Sequence, residues 1–85
     1  MKTIHKYQVD NIVGQTYISM PRGAEIVKFG HQNDRFCVWA IVDPDAEHES
    51  RAFEVVGTGY EIDPKLHYID TVFVGVFVWH LFEWV

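Results

Sequence analysis

The last nineteen residues, His67 to Val85, limit what this chain can fold into more than any other stretch. They read as a β-hairpin broken at Gly75, and they carry six aromatic rings. Successive side chains of a strand point to opposite faces. One face of the final strand therefore holds Val76, Val78, His80, Phe82 and Trp84, and the other holds Phe77, Trp79, Leu81, Glu83 and Val85. Both faces are mostly apolar, and both need cover. One flat sheet from an 85-residue chain has too little material to cover two faces. Either the sheet curls into a barrel or sandwich, or another molecule covers part of it.

The rest of the chain supplies the other strands. Alternation and β-forming residues predict a first strand over Thr3–Val9, a second over Gln15–Met20 and a third over Glu25–His31. In the third, Val27 and Phe29 are expected on one face and Ile26 and Lys28 on the other. Pro21-Arg22-Gly23-Ala24 is a turn. Asn33-Asp34 suits a primed hairpin turn, because both residue types tolerate positive φ. The strand after it, Arg35–Val42, is apolar on both faces and reads as a central strand. Asp43-Pro44-Asp45 ends it, since proline removes a ladder donor. Ala46–Ser50 reads as a charged loop or a single helical turn, Arg51–Val56 as a fifth strand, and Glu61–Leu66 as a loop. Long 3.6-residue apolar periods are absent. The expectation is one all-β domain over residues 1–85: a small antiparallel sheet of six or seven strands, curled into a barrel or sandwich. Ile26 or Val27, Phe36, Val38, Trp39, Ile41, Phe53, Val55, Phe77, Val78, Trp79 and Leu81 are expected in its core.

Composition excludes several classes. The formal net charge is −5. Binders of duplex nucleic acid usually carry a basic footprint, so neither duplex DNA or RNA nor an anionic membrane surface is expected as a partner. Cys37 is the single cysteine and lies in an apolar run, so it reads as a buried thiol with no disulfide to form. The five histidines show no metal-ligand spacing, and no cofactor fingerprint occurs. The start of the chain lacks an apolar leader, and the apolar C-terminal stretch is too short for a membrane helix, which needs about 20 residues. A cytosolic, reducing compartment is expected.

Three features are candidate binding sites. Gly57-Thr58-Gly59-Tyr60 is the one glycine-rich loop: its amides could cradle a phosphate and Tyr60 could stack on a base. The bland alternative is a strand-ending bulge that needs positive φ at both glycines. Asp43, Asp45, Glu47 and Glu49 alternate through one short segment. They are either a solvated face or a charged edge for a basic partner. Trp84, beside the chain end, is the tryptophan hardest for its own chain to enclose, and interface anchors favour Trp. No nucleophile–base pair stands out, so no enzymatic activity is expected.

Val38-Trp39-Ala40-Ile41-Val42-Asp43-Pro44, Phe53-Glu54-Val55-Val56-Gly57-Thr58-Gly59, Tyr68-Ile69-Asp70-Thr71 and Phe77-Val78-Trp79-His80-Leu81-Phe82-Glu83 together resemble a family of small proteins encoded mainly by bacteriophages and prophages. Met1-Lys2-Thr3-Ile4-His5-Lys6-Tyr7 and the Met20–Ala24 turn are similar to it as well. The resemblance brings no catalytic residue with it. It implies a phage origin and expression in the cytoplasm of a bacterial host. In that context the first expectation is a non-enzymatic accessory protein that binds and blocks a host immune protein, in the manner of anti-CRISPR proteins. The alternative is a sponge that sequesters a nucleotide immune signal through Gly57–Tyr60. A homo-oligomer built on the final hairpin and Trp84 is expected in either case.

Overall fold

The computed structural model describes residues 1–10 and 14–85. Seven strands follow one another: β1 (Thr3–Val9), β2 (Gln15–Pro21), β3 (Glu25–Gln32), β4 (Arg35–Val42), β5 (His48–Gly57), β6 (Leu66–Val74) and β7 (Phe77–Trp84). They form two antiparallel sheets, ordered β1-β4-β3 and β2-β5-β7-β6. No helix occurs among the described residues. The sheets pack as a sandwich. Val9, Phe29, Val38, Ala40 and Val42 from the first meet Ile18, Met20, Phe53, Val55 and Leu81 from the second in one apolar cluster. The doubly apolar β4 is the central strand of its sheet, as its composition demands.

The turn at Asn33-Asp34 has φ values of 55° and 61°. Two positive values in a two-residue β-hairpin turn are the type I′ pattern, whose twist matches that of the flanking strands. The β6–β7 turn, Gly75-Val76, has positive φ only at Gly75 (59°), which fits a type II′ turn with glycine first.

The two sheets do not close into a barrel, yet β3 and β6 lie side by side at one seam. Each strand is bulged there, β3 at Val27 and β6 at Ile69. A side chain takes the place of a backbone ladder. Asp70 accepts the Phe29 N–H at 2.9 Å through one carboxylate oxygen and the Thr71 N–H at 2.8 Å through the other. The Lys28 ammonium stands 3.8 Å away.

Four sequence expectations are corrected. The bulge at Val27 breaks the alternation of β3, so Ile26 and Phe29 both face the core and Val27 is exposed. Trp39 is outside the core: on the outer face of its sheet it is half-buried, lies against Gly30 and has the Lys6 ammonium 5.7 Å over its ring. The segment His48–Ser50 is strand, because it pairs with Ser19, Met20 and Pro21 and extends β5. Leu66 opens β6 and is buried, rather than ending a loop.

Between the sheets, Arg51 donates to both oxygens of Glu83, at 2.6 and 2.7 Å, and to the Ala24 carbonyl at 2.5 Å. The hydrogen bonds that Arg51 donates to Glu83 raise its guanidinium pKa above the ordinary value, against the opposing pull of burial, so Arg51 stays charged across the working pH range. The side chains are 18% and 23% exposed, so the pair falls between a surface and a buried ion pair. Arg51→Met is expected to cost about 1–2 kcal/mol, read as a lower urea midpoint at unchanged slope.

Candidate functional site

The last strand needs cover on two faces, and the chain supplies most of it. Inward, Trp79 and Leu81 join the main core. Outward, Val56, Leu66 and Phe82 form a second small cluster against which Trp84 packs. Val56 and Phe82 keep only 6% of their surface exposed. Tyr68 meets the Phe82 ring edge-on at 5.7 Å, and the Trp84 indole N–H donates to Glu54 at 3.1 Å. Trp84 is thus half-buried within its own chain rather than held out as a free anchor.

Beside this cluster a hydrogen-bonded chain crosses three strands. The Tyr68 and Thr71 hydroxyls are 2.7 Å apart, Thr71 Oγ1 is 2.8 Å from His80 Nδ1, and His80 Nε2 is 2.8 Å from Thr58 Oγ1. Thr58 also donates to the Val78 carbonyl at 3.3 Å. This hydrogen-bonded chain ties the end of β5 to β6 and β7.

The glycine-rich loop departs from the bulge expectation in one respect. Only Gly59 has positive φ, at 94°. Gly57 is required for space: a Cβ there would meet the Tyr60 ring at 2.9 and 3.0 Å and Trp79 at 3.3 Å. Gly57→Ala should therefore push the Tyr60 ring off the strand. The expected readout is loss of ring-current shifts at residue 57, with under about 1 kcal/mol of stability lost, because the exposed ring is free to move away. Two amides of the loop already have acceptors: Thr58 N–H donates to Val78 O, and Tyr60 N–H to Gly57 O, both at 3.3 Å.

The acidic residues are partly engaged locally. Asp43 accepts the Asp45 N–H at 3.0 Å, Glu49 lies in β5 and accepts the Gly23 N–H at 3.4 Å, and Glu47 faces Arg22 at 4.0 Å. Asp45 is exposed. This segment adjoins the start of β5 and Gly57–Tyr60 follows its end. A ten-residue strand separates them by roughly 30 Å. Trp84, opposite Leu66, is on the outer face of the same sheet and reaches Glu54, three residues before Gly57. The acidic segment is thus separated from the other two sequence candidates.

What gathers around Tyr60 is a different set: Val76 and Phe77, at the β6–β7 turn, are 91% and 61% exposed, and Tyr60 is 72% exposed. Phe73, 76% exposed, pairs with Val78 and lies on the other face of the hairpin end. A groove of about 480 Å³ runs along Gly57, Tyr60, Val76, Phe77 and Trp79. On the other side of the Tyr60 ring is a cleft of about 510 Å³, lined by Glu54, Val56, Gly57, Tyr60, Glu61 and Trp79 among others. It opens where the pairing of β2 with β5 ends, at Gln15 opposite Glu54. Alternation places Phe77 in the core, and this is corrected: at the first position after the turn it lies beyond the end of the facing sheet's cover and is exposed, while nothing in the pattern marks Phe73 and Val76 as a site. The available signal was the turn itself: hairpin turns project into water, so a Gly75 turn flanked by Val and Phe on both sides is anomalous.

The chain matches the family model described as Domain of unknown function (DUF7352) over residues 1–85, and it belongs to that family. No curated protein and no solved structure matches it.

Proposed function

We propose that this chain is a non-enzymatic protein-binding module that attaches to a partner through the end of the β6–β7 hairpin and the adjoining Tyr60 surface. The observation that carries this reading is the exposed apolar hairpin end, with Val76, Phe77 and Tyr60 along one groove and Phe73 on the other face, in a domain that covers the rest of its doubly apolar last strand from within. Exposed apolar surface beside a groove is the ordinary mark of a protein interface. The resemblance to phage-encoded proteins supplies the setting. In this reading the chain acts in the cytoplasm of a bacterial host, where it covers and blocks a protein of an immune system. The acidic segment Asp43–Glu49 lies too far away to share the hairpin interface, so its part is to steer a basic partner during approach.

The test is affinity capture from a bacterial host, comparing the natural chain with the double variant Phe73→Ser, Phe77→Ser. Both side chains are largely exposed, so stability should change by less than about 0.5 kcal/mol. Capture of a defined host protein should be lost. Unchanged capture would move the interface elsewhere. Self-association uses the same surface in this reading. Light scattering should show a dimer at micromolar concentration that the double variant converts to monomer, whereas Trp84→Ala should leave the mass unchanged.

The nucleotide-sponge alternative draws support from the exposed Tyr60 ring, which could stack on a base. Against it, the cleft's charged lining is Glu54 and Glu61, and two loop amides already donate internally. Calorimetry with cyclic di- and trinucleotides should give no heat. Binding that Gly59→Val abolishes would reverse this preference.

A further inference from the structure

Each sheet has two edge strands, β1 and β3 in one and β2 and β6 in the other. An edge strand presents unpaired N–H and C=O groups to one side. Proteins guard such rows with bulges, prolines, charged side chains or covering chain. Three of these four edges are guarded. β3 and β6 are bulged and meet at the seam, where Asp70 takes the Phe29 N–H. β2 ends on Pro21, which has no N–H. β1 has no proline, glycine or bulge. Thr3 to Val9 pair with β4 in unbroken register, and among the described residues no strand pairs with the other side of β1. Lysine is a common edge guard, but Lys6 is drawn inward across the sheet. Its ammonium lies 5.7 Å over the Trp39 ring and donates to Gln32, two strands away on β3, at 2.6 Å. Gln8 likewise turns inward and accepts from Arg35 of β4 at 3.1 Å. Thr3 to Lys6 are exposed.

The side chains of this edge define what fits it. Tyr7 and Val9 turn toward the core, so Ile4 and Lys6 lie on the outer face. Arg35 adds positive charge on that face, whereas Lys28 is already turned to Asp70. Apolar and opposite-charge pairs across neighbouring strands are favourable, and like charges directly opposite are not. The complement of this edge is a strand with a carboxylate opposite Lys6 and apolar side chains opposite Ile4 and Tyr7. A second copy of the chain fits badly. The antiparallel register of greatest overlap, Thr3 opposite Val9, sets Lys6 against Lys6, and each copy carries a net charge of −5. We propose that β1 receives an extended segment of a partner protein, of this acidic and apolar character, as an added antiparallel strand. This edge belongs to the other sheet from the hairpin interface, and the inference goes beyond that reading without resting on it.

The test is NMR titration and hydrogen exchange of the full chain with the capped peptide acetyl-Thr-Val-Glu-Val-Ile-Thr-amide. Laid antiparallel to Thr3–Gln8, it sets its glutamate opposite Lys6. In the free chain the β1 amides that point at β4 should exchange slowly and the alternate ones fast. The peptide should slow the fast set about fivefold or more at saturation. Two N-methylated forms read the peptide backbone, one methylated on its second and fourth residues and the other on its third and fifth. Alternate N–H groups of an added strand face β1, so one form should bind within about twofold of the parent and the other about tenfold more weakly. Lys6→Glu should weaken the parent peptide about fivefold, and lysine in place of the peptide's glutamate should restore binding. Lys6 is exposed, so the fold is kept. No binding of the parent peptide at millimolar concentration, shifts confined to residues away from β1, or equal binding of the two methylated forms would overturn the added strand. Insensitivity to Lys6→Glu would overturn its acidic character. Alternate β1 amides already protected in the free chain, and more so at higher protein concentration, would make a second copy the occupant and overturn the foreign strand. None of these outcomes touches the hairpin interface, which the Phe73→Ser, Phe77→Ser comparison tests separately.

Discussion

Phe53→Ala is expected to remove roughly a third or more of the protein's stability. Phe53 is fully buried in the middle of β5, paired with Thr16 on one side and Glu83 on the other, with its ring in the cluster shared by both sheets. Truncating a buried phenylalanine costs about 3–5 kcal/mol, the transfer loss plus an unfilled cavity. A domain of this length is held by about 4–13 kcal/mol at typical values per residue. The urea midpoint should therefore fall by roughly a third or more at unchanged slope. Trp39→Ala is the instructive contrast. The larger side chain sits half-exposed on the outside of its sheet, where it covers Gly30 and accepts Lys6 on its face. It should cost about 1–2 kcal/mol, mostly from lost area. A reversed ranking would mean that the inner and outer faces of β4 and β5 are misassigned.

The second large effect is expected at Asp70. The Phe29 amide has only this side chain as its partner across the seam between β3 and β6, and the other carboxylate oxygen holds the Thr71 amide. Asp70→Ala leaves a half-buried amide without an acceptor, at about 1–3 kcal/mol, and also loses the Thr71 bond. A total of about 2–3 kcal/mol is expected. Asp70→Asn should recover only part of it, since the two N–H donors face different oxygens and one of them would meet the amide NH2. Hydrogen exchange at Phe29 should rise sharply, while the amides of β4 stay protected. Uniform loss of protection across both sheets would show that the seam opens only with global unfolding.

Much of the fold is legible in the sequence because alternation and turn chemistry agree. The limits of β1 and β4 follow from their patterns, and the positive φ values at Asn33 and Asp34 follow from residue type. Alternation fails where a bulge intervenes. Val27 shifts β3 by one residue, and no local residue type announces it. Charge misleads at His48–Ser50, since an edge-facing strand segment tolerates the polar residues of a loop. Two-sidedness of the last strand is readable, but the pairing that lets Leu66 and Tyr68 cover Phe82 is a matter of tertiary register. For the site, the Gly57–Tyr60 loop is visible as a glycine cluster. Its distance from Asp43–Glu49 depends on the length of β5, and the placing of Trp79 beside Tyr60 over Gly57 depends on strand order.

The binding reading is tested most directly by placing a photo-crosslinking amino acid at single positions and irradiating bacterial cells that express the protein. Positions 73 and 77 at the hairpin end are compared with position 17. Tyr17 is an equally exposed aromatic residue, 67% accessible, on β2 at the opposite edge of the same sheet. The account predicts one discrete adduct of higher mass from positions 73 and 77 and none from position 17. Adducts from position 17 alone, or the same diffuse labelling from all three, would contradict it.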